Sequence, residues 1–311
     1  MNFNKKIPGY GSLTVVMTVY NGMPYLEESV QSILDQSLPI FTFLIVNNAS
    51  EDGTRAFLDD LNGRRAGLSP YLRIEHLSVN LGRTGALNLA LERVDTEFTA
   101  IMDADDVSVR SRLERQIEFM REHPEVVLLG ADVDYIDEKG QVTGSERFPI
   151  AHADLRDHLP LYNPFANSAC MFRTESALVA GGYDSSFAYA QDLALWVVML
   201  RSGGRAASLN EKLVSIRRHG AQSTRDAAMS GARALDNRRI SEAILEIPDL
   251  GINARQAALL RLALALYGLG EKNPALARIW EAVREKPLAF CFNPLLWRRL
   301  LMQGRKLLQK I

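Results

Sequence analysis

A chain of 311 residues is long enough for one large domain, or for one domain with an addition. Its hydrophobic fraction of 47% beside 23% charged residues is that of a globular protein in water, and a net charge of -1 excludes a strongly basic nucleic-acid binder. The two cysteines, Cys170 and Cys291, have no CxxC spacing, which argues against a disulfide framework or a zinc site and for reduced thiols in the cytosol.

No apolar stretch precedes Gly11, and no window of roughly 18 apolar residues occurs, so neither a secretory signal nor a membrane span is expected. The expected location is the cytoplasm, at the inner face of the cell membrane if the tail described below binds lipid.

Leu13 to Val19 is an unbroken β-branched run, as a strand buried on both faces requires. Pro24 then opens a helix with Val30, Ile33, Leu34 and Leu38 on one stripe. Phe41 to Val46 is a second strand, and Asn47 to Gly53 is turn chemistry before a helix from about Thr54. Strands follow at Leu72–Leu77 and Phe98–Met102, separated by a helix from about Gly85. The acids of Asp103-Ala104-Asp105-Asp106 end the fourth strand, ahead of a helix with Leu113, Ile117 and Met120 on one face.

Val126–Leu129 and Val133–Ile136 read as two more strands, then a turn at Asp137–Gly140. Beyond 145 the expected elements are a strand at Ala169–Phe172, a helix at Leu193–Arg201 and a strand at Lys212–Ile216. From about Asp226 the pattern is helical throughout. This alternation is that of βαβ units around a mainly parallel sheet. It divides the chain into a catalytic domain over 1–225 and a helical appendage over 226–311.

Ligands of open α/β sheets bind beyond the carboxyl ends of the strands, where Asp103 to Asp106 fall. Alternating carboxylates there suit a hard divalent cation, Mg²⁺ or Mn²⁺, which neutralises charge on a departing diphosphate. Taken alone, the segment suits helix capping equally well. Its company is more specific: Thr18-Val19-Tyr20-Asn21, the Asn47–Thr54 turn, Asn80-Leu81-Gly82, Asp103 to Asp106 and Arg112-Leu113 occur in that order. Asn163-Pro164-Phe165, Gly181-Gly182-Tyr183-Asp184, Gln191-Asp192-Leu193-Ala194-Leu195-Trp196 and Arg217-Arg218-His219 extend the series. With these motifs, residues 12–225 resemble family 2 of the glycosyltransferases, inverting enzymes with a Rossmann-like type-A (GT-A) fold, and in particular its bacterial polysaccharide-building branch.

The resemblance implies a nucleotide-diphosphate sugar as donor and a saccharide or a lipid-linked sugar as acceptor. It assigns Thr18, Val19, Tyr20, Asn21, Asn47 and Asn48 to the nucleoside. Asp103, Ala104 and Asp105 would face ribose, diphosphate and metal, with Asp105, Asp103 and His219 as the metal set. Arg83 would approach the diphosphate and Arg112 the donor sugar or phosphates. Asp192 falls on the family's catalytic base, the carboxylate that takes the acceptor's proton in an inverting transfer.

Asn47, Asn48 and Gln191 stand where the family has acids, and Asn167 where related sequences often have histidine. The three missing acids keep open a second expectation, a non-catalytic nucleotide-sugar-binding partner of a glycosyltransferase complex. A nucleotidyltransferase is disfavoured, because the loop Tyr20–Pro24 has no basic residue for a phosphate. His76 is expected to be structural or at the surface, and Trp196 to lie in the core. The tail after residue 284 interleaves Arg298, Arg299, Arg305, Lys306 and Lys310 with Trp297 and several leucines. Such a helix suits an anionic membrane surface, or packs its apolar face on protein.

Overall fold

The computed structural model describes residues 12–39, 41–65, 71–220, 230–287 and 293. These cluster into two compact units. One is drawn from Met1–Ile150, Phe165–Ser185 and Gly204–Gln222, the other from Ala151–Pro164, Ser186–Gly203 and Ser223–Ile311. The units therefore interleave along the chain, and two segments ahead of 225 cluster with the C-terminal helices.

The first unit holds the sheet. Its strands are β1 (Leu13–Val19), β2 (Thr42–Asn47), β3 (Tyr71–His76), β4 (Phe98–Ile101), β5 (Val107–Ser108), β6 (Val126–Ile136), β7 (Val142–Glu146), β8 (Met171–Arg173) and β9 (Arg205–Arg217). The order is β3-β2-β1-β4-β8-β6-β9-β5, with β7 on β6. Strands β3, β2, β1 and β4 run parallel, β8 is antiparallel to β4 and β6, and β9 returns parallel to β6. Helices α1 (Leu26–Leu34), α2 (Thr54–Arg65), α3 (Gly82–Glu92), α4 (Arg112–Glu122) and a short α6 (Thr174–Val179) belong to the same unit.

The unbroken apolar runs of β1, β2 and β4 follow from burial on both faces. Leu13, Val15, Met17 and Val19 point to one side, where they share a core with Phe43, Ile45, Phe98 and Ala100. That core also takes Val30 and Ile33 of α1, Leu58 of α2, and Leu113, Ile117 and Met120 of α4. The alternate residues face α3, which packs on β1 and β2. Helix α1 starts at Leu26 rather than Pro24, after a cis Met23–Pro24 bond.

The stretch read as two strands, 126–129 and 133–136, is one strand, β6. Gly130 interrupts its apolar pattern because a Cβ there would come 2.9 Å from the ring of Phe165. Asp132 is buried and accepts a hydrogen bond from the N–H of Phe148 (2.9 Å).

The second unit is helical. It contains α5 (His152–His158), α7 (Gln191–Arg201), α8 (Ser230–Leu245), α9 (Ile252–Gly268) and α10 (Lys272–Glu285). Buried polar side chains join these helices. Gln256 of α9 donates to the carbonyl of Ala282 of α10 (3.0 Å). Arg261 donates to the carbonyl of Leu159 (3.0 Å) and to Asn237 of α8 (2.8 Å). Trp196 is fully buried, as expected of a core residue. Among the described residues no helix is long and apolar enough to cross a membrane. The basic tail beyond residue 293 lies outside the described residues.

Candidate active site

The carboxyl ends of β1, β2 and β4 meet at one end of the first unit, where Val19 pairs with Asn47 and Asn47 with His76. The loop after β1 is fastened to the loop after β2. The N–H of Asn21 donates to Ser50 Oγ (2.9 Å), that of Gly22 to Thr54 Oγ1 (2.9 Å) and that of Met23 to Asp52 (3.1 Å). In return Asn21 Oδ1 accepts from the N–H of Glu51 (2.8 Å). Asn21 adopts a left-handed φ of 52°, which asparagine tolerates better than most residues. Gly22 is required by a close approach, since a Cβ there would lie 2.5 Å from Val19. Tyr20 is left 47% exposed, Thr18 is half-buried and Val19 is buried.

Asn47 and Asn48 are both buried and use their amides inside the loop framework. Asn47 Oδ1 accepts from the N–H of Ser50 (3.0 Å), and its Nδ2 donates to His76 Nδ1 (3.0 Å). That polarity leaves the His76 proton on Nε2, which faces Asp59 at 3.1 Å. Asn48 Nδ2 donates to Asn80 Oδ1 (2.9 Å) and to the Gly82 carbonyl (3.2 Å), while its Oδ1 accepts from the N–H of Leu81 (2.8 Å). The two amides thus tie together the loops that follow β2 and β3. Carboxylates could not make the donor half of this network.

After β4, the acids of Asp103 to Asp106 diverge. Asp103 faces Arg83 (3.2 Å) and accepts from Asn167 Nδ2 (3.1 Å). Ala104 packs against the core. Asp105 Oδ2 is hydrogen-bonded to His219 Nε2 at 2.9 Å, across 114 residues of sequence. Asp106 turns inward, accepting from the Ser168 hydroxyl and from the N–H of Arg217 (2.9 Å). Burial, reinforced by the charges of Asp103 and Asp105, pushes its carboxyl well above the usual range. None of these acids caps α4, whose N-cap residue is Ser111, so the capping alternative falls away.

Arg217, 1% exposed, braces the segment from behind. It donates to the carbonyls of Asp105 (3.0 Å) and Asp137 (3.1 Å), pairs with Glu28 (2.5 Å) and lies over the Tyr25 ring (4.8 Å). Tyr25 in turn packs against His219, with centroids 4.9 Å apart. Arg218 stacks over Tyr135 at 3.6 Å.

Arg112 requires a correction. Expected to face donor sugar or phosphate, it is fully buried. Its Nη2 donates to the carbonyls of Ile101 (2.9 Å) and Cys170 (3.3 Å), and its Nε to Gln116 (3.0 Å). Burial pushes the guanidinium down to about 10. Arg112 braces the end of β4 from inside and has no surface on which to meet a ligand.

Asp192 belongs to the second unit, in the first turn of α7. The N-cap residue there is Ala190, so Asp192 does not cap the helix. Its Oδ2 accepts from Asn163 Nδ2 at 2.8 Å.

Among the described residues no group of three or more acid, histidine or cysteine side chains gathers at one point. The Asp105–His219 pair nonetheless fits a divalent ion. Its carboxylate and imidazole present facing acceptor atoms once the shared proton is lost, an oxygen–nitrogen set that Mn²⁺ takes more readily than Mg²⁺. Sequence reasoning overlooked Tyr25, Glu28 and Ser168, which reach this segment only through the fold. His76 is structural, as expected, and supports Asn47 from β3.

Comparison with known proteins follows the same outline. The model of the family described as Glycosyl transferase family 2 matches residues 14–179. The amylovoran biosynthesis glycosyltransferase AmsE of Erwinia amylovora is 33% identical over 206 residues, which is 66% of this chain and 75% of that protein. The O-antigen biosynthesis glycosyltransferase WbnJ of Escherichia coli is 28% identical over 225 residues, 70% of this chain and 84% of its own. Among solved structures, S. aureus TarS 1-349 in complex with UDP-GlcNAc superposes with a TM-score of 0.67 at 17% identity, covering 90% of this chain and 84% of that one. The mannosyltransferase PcManGT from Pyrobaculum calidifontis, in complex with GDP-Man and Mn²⁺, gives 0.60 at 19% identity, covering 95% and 80%. The fold is that of the GT-A glycosyltransferases, and the chain belongs to glycosyl transferase family 2, as a glycosyltransferase.

Proposed function

We propose that the protein transfers a sugar, with inversion, from a nucleotide-diphosphate donor to a saccharide or lipid-linked acceptor during assembly of a cell-surface polysaccharide. The observation that supports it most is the Asp105–His219 pair beside Asp103 and Arg83, at the carboxyl ends of parallel strands, in a family 2 chain. The AmsE and WbnJ names, with their amylovoran and O-antigen products, support the polysaccharide role.

In this reading Thr18, Tyr20 and Asn21 line the nucleoside end, and Asn47 and Asn48 keep its loops in shape. Arg83 and Asp103 face ribose and diphosphate. Asp105 and His219 would hold a divalent cation, Mn²⁺ or Mg²⁺, which supplies positive charge to the leaving diphosphate. Asp192 takes the proton of the acceptor hydroxyl as that oxygen attacks the anomeric carbon, and the bond to the diphosphate oxygen breaks. The Asn163 amide, donating to Asp192 Oδ2, orients the carboxylate. The catalytic domain of this reading spans 1–225, followed by a helical region over 226–311 for a membrane surface or for oligomerisation. An anionic membrane surface at the inner face of the cell membrane is the proposed location. The exposed Leu276 and Trp280 of α10, near Arg284 and Lys286, favour it.

The test for the donor is thermal unfolding with UDP-, GDP-, dTDP- and CMP-sugars, with and without Mn²⁺. The reading predicts a rise in Tm with at least one donor that is larger with Mn²⁺, and is lost in Asp105→Ala. No rise with any donor would contradict it. Metal-dependent binding without turnover on any acceptor would instead favour the non-catalytic partner to which Asn47, Asn48 and Gln191 point.

A further inference from the structure

Helix α8 lies in the stretch that the sequence marks as an appendage, yet its side chains hold the segment immediately ahead of Asp192. Asp236, only 4% exposed, accepts hydrogen bonds from the N–H groups of Ala188 (3.1 Å) and Tyr189 (2.9 Å). Arg239 donates to the carbonyl of Ser186 (2.9 Å) and lies over the Phe187 ring at 5.9 Å. Arg233 lies over the Tyr189 ring at 5.0 Å. A carboxylate bonded to two backbone N–H groups is a charge-assisted contact, stronger than a neutral one.

Only Ala190 and Gln191 separate this anchored segment from Asp192. The Ala190 carbonyl already accepts from the N–H of Ala194 (2.8 Å), so the anchor continues directly into the first turn of α7. A shift of residues 188–189 would therefore rotate or translate that turn, and Asp192 with it. Asn163 meets the same residue from another segment, through its carboxylate. Asp192 is thus held at its side chain from residue 163, while the backbone of residues 188–189 just ahead of it is held from α8.

We propose that Asp236 is a positioning residue for Asp192, and that α8 is in this sense part of the catalytic apparatus. The inference rests on Asp192 being the base. A general base must meet its proton at hydrogen-bond distance, and displacement by about 1 Å can lower a rate about a hundredfold.

The test compares Asp236→Ala, Asp236→Asn and Asp192→Asn in the full chain for sugar transfer, with donor affinity by calorimetry and Tm for each. Gln256→Leu, which removes a buried hydrogen bond between α9 and α10, is the control for lost stability alone. The expected result is a kcat lowered roughly tenfold to a hundredfold in Asp236→Ala, with donor affinity within about twofold of the parent. Asp236→Asn, which keeps one oxygen acceptor, should recover most of that rate, while Gln256→Leu keeps the parental kcat below its Tm. If Asp236→Ala does not fold, a kcat lowered about threefold or more in Asp236→Asn, at unchanged donor affinity, carries the same meaning. Parental kcat in the Asp236 variants with an inactive Asp192→Asn would overturn the positioning role alone. So would an equal fall in kcat in Gln256→Leu. An active Asp192→Asn would overturn the base assignment and this inference with it.

Discussion

Replacing Arg112 by alanine separates a brace from a ligand contact. The side chain is fully buried and donates to the Ile101 carbonyl (2.9 Å), the Cys170 carbonyl (3.3 Å) and Gln116 (3.0 Å). Truncation leaves at least two buried acceptors unpaired, at about 1–3 kcal/mol each. It also loses the packing of the methylene stem, about 2 kcal/mol. Against this stands relief from holding a charge where burial pushes the guanidinium well below its usual value, to about 10, roughly 3 kcal/mol. The net is a loss of about 1–5 kcal/mol, or roughly 2–20 °C in Tm for a unit of this size. Urea unfolding gives the stability and calorimetry the donor affinity. The brace predicts a large fall in midpoint with donor affinity within about twofold. An unchanged midpoint with donor affinity weakened tenfold or more would refute it and restore Arg112 to the donor pocket.

Asn48→Asp, which restores the acid usual in the family, should destabilise the first unit by about 2–4 kcal/mol in urea. It turns two donated hydrogen bonds, to Asn80 and Gly82, into buried oxygen–oxygen contacts; equal or higher stability would contradict the network. Asp52 is pushed up by burial, but hydrogen bonds from Thr54 and the Met23 N–H outweigh that and hold it below the usual range. A depressed carboxyl stabilises the fold above its unfolded value, near 3.9, and loses that contribution as pH falls through the folded value. The stability advantage of the parent over Asp52→Asn should therefore be full at pH 7 and shrink toward pH 3.5, and a constant difference would contradict it. Gly182 has φ 72°, and a Cβ there would lie 2.8 Å from Asn88 Oδ1, which accepts from the N–H of Tyr183. Gly182→Ala should cost about 2–3 kcal/mol by urea unfolding. Gly181→Ala, at φ 90° in open space, should cost only the conformational ~1 kcal/mol; equal losses would contradict the steric argument.

The central strands were legible because burial on both faces leaves an uninterrupted apolar run, as in β1, β2 and β4. Strands β5 and β7 were not. The first is only Val107–Ser108, and the second is exposed along nearly its whole length, Val142 at 65%, so neither leaves an apolar pattern. Asp103, Asp105 and Asp192 could be singled out by motif. His219 could be set beside Asp105 only through the family resemblance, and the Asn163 contact with Asp192 arises only through the fold. The role that the resemblance implied for Arg112 failed because burial, which the sequence does not show, turns its guanidinium inward onto the Ile101 and Cys170 carbonyls. The interleaving of the two units was equally invisible, since residues 151–164 and 186–203 have no compositional break from their neighbours.

The most direct test of the account is product analysis of sugar transfer by the full chain with Mn²⁺, for the donor that raises Tm. The account predicts a glycosidic bond of anomeric configuration opposite to the donor's. It also predicts loss of turnover in Asp192→Asn with donor binding kept, and loss of metal-dependent donor binding in Asp105→Ala. A product that retains the donor's configuration, or full turnover in Asp192→Asn, would contradict it.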